Sequence, residues 1–292
     1  MSSASTSARL SVVHFAGNCV AIAHEQPVGA DIVSFVFPRA KPSDASAQAA
    51  DWGIRQLGDR SRLALYRQDQ LIYLGPSPGA LAEVLMGEVC RHLVTHSTGG
   101  AIYHAALVRH GARTLLLPGV SGAGKSTLTA WLCSRGCQYL TDELVYVREG
   151  TTLFEPLVRA LSLKQDAQAL VPDLPWNTMA DSVWASTSGV LVSPLALNPV
   201  GVTEAIQPAD ALFAVYHAGR AGSARPLLTA ETGFLLLQAL VNAPNLEDGG
   251  LRQTASLAQE LHAQEVGYSH LSQLEPLLGP LSGDTNHGAH EL

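Results

Sequence analysis

Residues 119–127 read GVSGAGKST, a run in which nearly every residue type has a chemical use. It satisfies G-x-x-x-x-G-K-[ST] in full. Gly119, Gly122 and Gly124 let the backbone turn tightly and bring its N–H groups close to phosphate oxygens. A helix beginning at about Lys125 would add the positive end of its dipole. The Lys125 ammonium can reach the β- and γ-phosphates of a nucleotide, and the Ser126 hydroxyl is a ligand type suited to Mg2+. The nucleotide-binding set is therefore Gly119, Val120, Ser121, Gly122, Ala123, Gly124, Lys125, Ser126 and Thr127, with ATP and Mg2+ as what it would hold. An apolar strand before the run and a helix after it give the context such a loop needs.

Binding phosphate does not name a reaction. After the loop helix, one further strand leads to Asp142 and Glu143. One helix and one strand return the chain beside the loop. An acidic pair there can hold Mg2+ with one carboxylate and take a proton from an incoming hydroxyl with the other. The residues alone leave open which carboxylate does which, and leave open a plain exposed turn. His104 lies in the apolar run AIYHAALV before the loop, where a lone histidine is more often a core residue than a catalytic one.

The elements that must hold these residues are read from periodicity. Residues 10–15, 19–23, 32–37, 63–66 and 71–74 read as short strands, with a polar loop at 41–48. A helix follows Ser77, an N-cap candidate with Pro78 in the first turn. STGG (residues 97–100) breaks the pattern. Two strands, the glycine-rich loop, a helix ended by Gly136, and a strand–turn–strand come next. Further on, GVLVSPLAL and ALFAVYHA read as strands. TAETGFLLLQALV reads as a helix capped by Thr229, and LRQTASLAQELHAQE as another; GYSHL reads as a short strand. This divides the chain into a β-rich part ending in a helix (1–97), a phosphate-loop part (98–281) and a polar tail (282–292).

Composition narrows the class. The chain has 292 residues, 47% of them hydrophobic, and a net charge of −7. It is long enough for a substantial core. There is no basic block, which argues against nucleic acid, and no apolar run near the ~20 residues that span a bilayer. No signal-peptide pattern opens it, so a cytoplasmic location is expected. Cys19, Cys90, Cys133 and Cys137 form no CxxC pair and read as reduced thiols. His92 and His96 are spaced i,i+4, but with no HExxH glutamate or third ligand they read as helix surface or core. Lysine is rare, three against fifteen arginines, and one of the three is Lys125.

Three features together resemble the catalytic domain of the HPr kinase/phosphorylase family: the YHAALV strand with His104, the GVSGAGKS loop, and Asp142–Glu143 after SRGCQYLT. His104 stands 21 residues before Lys125, and Glu143 18 after it, the spacing of that family's His and second acidic residue. PLVRALSLK and AETGFLLLQALV are similar to segments of the HPr-kinase-related kinases found beside small PqqD-like peptide-binding proteins. The resemblance implies an α/β fold, a P-loop mixed-sheet kinase domain of HPr kinase type preceded by a small β-rich N-terminal domain. It implies an ATP-dependent serine/threonine protein or peptide kinase. In that reading His104 helps position or polarise phosphate, Lys125 binds it, Ser126 holds Mg2+, and Glu143 stands where the family has its proton-accepting Asp; Asp142, the other half of the acidic pair, would join Ser126 on Mg2+ and take over part of the proton acceptance. A PqqD-like neighbour as substrate and a homo-oligomer are implied with it. Arg159, Arg220 and Arg225 are candidates for the family's essential arginine, and Arg159 and Lys164 could add positive charge. The rivals are a small-molecule kinase and a nucleotide-binding module that regulates a partner without transfer.

Overall fold

The computed structural model describes residues 8–25, 27–45, 50–57, 61–119, 124–174, 176, 179–198, 206–207 and 210–278. The chain opens with an antiparallel hairpin, β1 (Arg9–Phe15) and β2 (Asn18–His24). Next come α1 (Pro27–Val36), β3 (Lys41–Ser43), β4 (Trp52–Leu57), β5 (Arg62–Arg67) and β6 (Gln70–Gly75). The six strands form one mixed sheet in the order β3-β1-β2-β4-β5-β6. α2 (Pro78–Thr95) packs on it through Leu81, Leu85, Val89 and Leu93, an i, i+4, i+8, i+12 stripe. Its cap is the one expected: Ser77 Oγ accepts from the Ala80 N–H at 3.1 Å, and Pro78 fills a first-turn position that needs no donor.

A second sheet starts at β7 (Gly100–His110) and β8 (Arg113–Pro118), followed by α3 (Lys125–Ser134), β9 (Gln138–Thr141), β10 (Leu144–Arg148) and β11 (Phe154–Pro156). A small antiparallel sheet, β12 (Leu161–Lys164) with β13 (Val183–Ala185) and β14 (Gly189–Val192), carries the short helices α4 (Ala167–Leu170) and α5 (Pro194–Leu197) nearby. β15 (Asp210–Tyr216) and β16 (Ser223–Pro226) return to the large sheet. α6 (Thr229–Ala239), α7 (Leu251–Glu260), β17 (His262–Tyr268) and α8 (Glu275–Leu278) complete the described residues. The large sheet runs β11-β10-β7-β8-β15-β17-β16, with β9 also pairing β7. β15 is parallel to both β8 and β17, so the carboxyl ends of these three strands share one edge. The fold is mixed α/β with mixed sheets.

Strand alternation sorts the large sheet's side chains onto two faces. Tyr103, Ala105 and Leu107 of β7 face one layer with Leu236 of α6 and Leu257 of α7. Ala106 and Val108 face the other with Leu128, Trp131 and Leu132 of α3. Ile102, on that same side, belongs to the core under α2, together with Leu144 and Tyr146 of β10. His104 stands between Ile102 and Ala106, where two apolar clusters meet. No helix among the described residues is long and apolar enough to cross a membrane.

Several expectations are corrected. Residues 32–37, read as a strand, belong to α1 apart from Phe37: Gly29, Ile32, Val33 and Val36 are buried at helical spacing, and this stripe outweighs the β-branched composition. The supposed loop at 41–48 begins with β3, an edge strand where Pro42 is tolerated; residues 46–49 lie outside the described residues. β4 was missed because Gly53, Arg55 and Gln56 dilute its alternation. The strand expected over GVLVSPLAL ends at Val192, where Ser193-Pro194 begins one helical turn. Leu228, not Thr229, takes the N-cap position of α6, and its N–H is satisfied by Glu231 Oε2 at 2.9 Å. The helix expected through residue 265 stops at Glu260. After Leu261 the chain becomes β17, which fills a central place beside β15.

Candidate active site

Three backbone segments bring the sequence-read residues together. Leu144 pairs with His104 across β10 and β7, and the Ala105 N–H donates to the Glu143 carbonyl at 3.1 Å. On the other flank, the Gly119 N–H donates to the His104 carbonyl at 3.3 Å. His104 is thus set between the start of the glycine-rich loop and the acidic turn. Val120, Ser121, Gly122 and Ala123 lie outside the described residues. Gly124 has φ 83°, a left-handed conformation that suits glycine, and is the last residue before α3. Lys125, Ser126 and Thr127 form the first turn of α3. Lys125 is buried, and its Nζ donates to the Gly119 carbonyl at 2.7 Å.

The carboxylates of the acidic turn have different surroundings. Asp142 is fully enclosed, whereas the Glu143 side chain is 36% exposed. Asp142 Oδ2 accepts from Ser126 Oγ at 2.9 Å and from the Ser162 N–H at 3.4 Å. Asp142 Oδ1 lies 3.0 Å from Arg159 Nη2. The Tyr139 hydroxyl lies 3.0 Å from Asp142 Oδ1 and 2.9 Å from the Arg159 carbonyl, and can donate to one of them at a time. Glu143 Oε2 is held by Arg159 Nη2 at 2.6 Å, while Oε1 faces His104 Nε2 at 3.6 Å.

Arg159 is the centre of this cluster, buried and bonded to both carboxylates. Its other nitrogens are poorly served: Nη1 meets the Met86 sulfur of α2 at 2.7 Å, a weak acceptor, and Nε has no hydrogen-bond partner among the described residues. Of the arginines considered from sequence, only this one is brought to the site. Arg220 and Arg225 are exposed elsewhere, Arg225 in ion pairs with Glu231 and Glu265, and Lys164 is exposed at the end of β12. Tyr139, Ser162 and Met86 were not read as site residues. A tyrosine three residues before a buried carboxylate is a usable signal; Met86 gives none.

The electrostatics follow from burial. Burial pushes Asp142 above the usual carboxylate range, with Arg159 opposing. Burial brings Lys125 below the ordinary lysine value, and Glu143 and Asp142 oppose that. His104 is held below a free histidine by burial, against the pull of Glu143, with Lys125 and Arg159 lowering it further. Arg159 stays charged because Asp142 and Glu143 outweigh its burial. The nearby Cys90 thiol is pushed up to about 12 by burial and offers no thiolate at neutral pH.

A titration tests this arrangement. Followed by NMR, the His104 ring is expected to take its proton at lower pH than a free histidine. Lys125→Met should raise that midpoint and Glu143→Gln should lower it, since the ammonium opposes and the carboxylate favours a second positive charge. A midpoint indifferent to both changes would remove His104 from the site.

Among the described residues, no group of three or more His, Cys, Asp or Glu could hold a metal unaided. Ser126 and Asp142 nevertheless fit Mg2+ in kind. They present a hydroxyl and a carboxylate oxygen 2.9 Å apart, and Mg2+ bound with a nucleotide needs only one or two protein oxygens besides phosphate and water.

Comparison with known proteins finds likeness among solved structures alone. No family model matches the chain, and no curated protein matches it. Among solved structures, the HPr(Ser) kinase/phosphatase of Coxiella burnetii matches at 12% identity over 61% of this chain and 89% of that one, with a TM-score of 0.29.

Proposed function

We propose that the chain is an ATP-dependent kinase that transfers the γ-phosphate to a serine or threonine hydroxyl of a small protein or peptide. One observation carries the reading. Ser126, at the start of the loop helix, touches the enclosed Asp142, while the half-buried Glu143 and His104 face each other 3.6 Å apart beside it. A phosphate grip and an accessible proton acceptor therefore lie side by side.

In this reading the loop backbone, the α3 N-terminus and Lys125 hold the β- and γ-phosphates. Ser126 and Asp142 are the residues that would hold Mg2+, which supplies charge to offset the phosphate oxygens. The substrate oxygen forms a bond to the γ-phosphorus as the bond to the β–γ bridging oxygen breaks, and the hydroxyl proton passes to Glu143 Oε1. His104, neutral at pH 7, donates a hydrogen bond to the transferred phosphate. Asp142 is too enclosed to meet a substrate hydroxyl, which supports Glu143 as the acceptor in this reading. Residues 98–281 carry this chemistry, and a PqqD-like neighbour and a homo-oligomer are the proposed partners.

Incubation of the full chain with γ-labelled ATP and the small proteins encoded beside it, with the labelled residue mapped by mass spectrometry, tests the proposal. Label on a serine or threonine of one of them is the expected result. Label in a metabolite alone would make it a small-molecule kinase instead. The Arg159–Glu143 contact at 2.6 Å, which occupies half of the proton acceptor, favours one further reading, an ATP-binding regulatory module. Retention of a partner only when ATP is present, with no label transferred, would establish it.

A further inference from the structure

The phosphate loop accounts for one end of a nucleotide and leaves the base without a seat. The parallel strands β8, β15 and β17 end on one edge, and ligands of α/β sheets bind beyond such carboxyl ends. β8 runs into the loop there. β15 ends at Tyr216 and β17 at Tyr268, directly opposite each other in register. Tyr268 joins the core cluster that includes α3, and its hydroxyl is the nearest neighbour of Gly124: a Cβ built there would lie 3.1 Å from it. Tyr216 meets Tyr268 edge to face, ring centroids 5.9 Å apart. β15 lies between β8 and β17 in the sheet, so Tyr216 stands at the strand ends next to the strand that enters the loop, with Tyr268 on its other side.

Alternation puts Tyr216 on the same face as α3, since Leu212 and Ala214 of β15 pack in the α3 cluster and Ala211 and Phe213 in the opposite one. Yet Tyr216 is 61% exposed. The other aromatic among the exposed large apolar residues is Phe234, on α6 beneath the opposite face. The turn after Tyr216 is held by hydrogen bonds to the end of β17 and the residues that follow it. The His217 N–H donates to the Tyr268 carbonyl at 2.7 Å, and the Arg220 carbonyl accepts from Ser269 Oγ at 2.8 Å and Gln273 Nε2 at 3.3 Å. An exposed ring on a fixed turn loses little freedom when a flat ligand covers it.

We propose that Tyr216 is the platform on which the base of the bound nucleotide stacks, with Tyr268 linking it to the loop. The inference rests on the phosphate-loop reading and adds a nucleoside subsite to it. The test is calorimetric titration of the full chain, Tyr216→Ala and Tyr216→Phe with ATP and with inorganic tripolyphosphate, each with Mg2+. Tyr216→Ala should weaken ATP about tenfold or more and leave tripolyphosphate within about twofold, as loss of aromatic base stacking would, while Tyr216→Phe should keep ATP affinity. An unchanged ATP affinity in Tyr216→Ala, or equal losses for both ligands, would overturn the platform. So would unaltered chain binding tripolyphosphate as tightly as ATP, which leaves the phosphate loop standing. Unaltered chain that binds neither ligand overturns the loop reading and this one with it.

Discussion

Glu143→Gln is expected to bind ATP as before and to lose phosphoryl transfer by about 10²–10⁴-fold, the usual contribution of a positioned general base. The amide keeps the size of the side chain, and its oxygen can still accept from Arg159, so the packing around the guanidinium is preserved. What it loses is the capacity to hold a proton. Asp142 cannot take over. Its side chain is wholly enclosed, with Oδ2 accepting from Ser126 and Ser162 and Oδ1 against Arg159. Transfer by Glu143→Gln at the unaltered rate, measured in single turnover with saturating ATP, would show that the proton leaves by another route.

The second large effect concerns stability. Arg159→Met should cost about 3–5 kcal/mol, because it strands the enclosed Asp142 carboxylate without its cation. Adding Asp142→Asn should recover part of the loss, the two sites being directly coupled. The penalty should also depend on pH. Asp142 already has a folded midpoint above its unfolded one, and without Arg159 it rises further. A raised carboxylate midpoint means the folded state binds the extra proton. Its stabilisation is present below the unfolded midpoint and is lost as pH rises through the folded one. The Arg159→Met defect should therefore shrink in acid. Urea denaturation across pH measures this; a defect constant with pH, or strictly additive with Asp142→Asn, would mean that packing and not charge carries the loss.

The legible parts of this site are those whose neighbours are near in sequence. The glycine-rich loop, Lys125 and Ser126 declare themselves in nine residues. Asp142–Glu143 follow after one helix and one strand, and the β7–β10 pairing then brings His104 opposite Leu144, beside Glu143. Arg159 could not be separated from Arg220 and Arg225 in the sequence, because its place depends on how the chain turns back after Pro156 and reaches β12. Only the packing brings its guanidinium against Asp142 and Glu143. The errors in the fold have a similar origin. Residues 32–36 carry the composition of a strand, and only packing under α2 makes their helical stripe useful. β17 follows α7 with a single residue between them, so nothing in the local sequence punctuates the change.

The contact between Met86 and Arg159 has a consequence for how the chain can be divided. The STGG linker looks like a natural place to cut. Yet Met86 lies before it, and the guanidinium it covers lies after it. The same buried cluster holds Val89 and Leu93 on one side of the linker and Leu144, Leu157 and Ala160 on the other. A fragment starting at residue 98 would keep the glycine-rich loop, the acidic turn and His104, and would open the back of its central arginine to water. The first part of the chain is the rear wall of the Arg159 cluster.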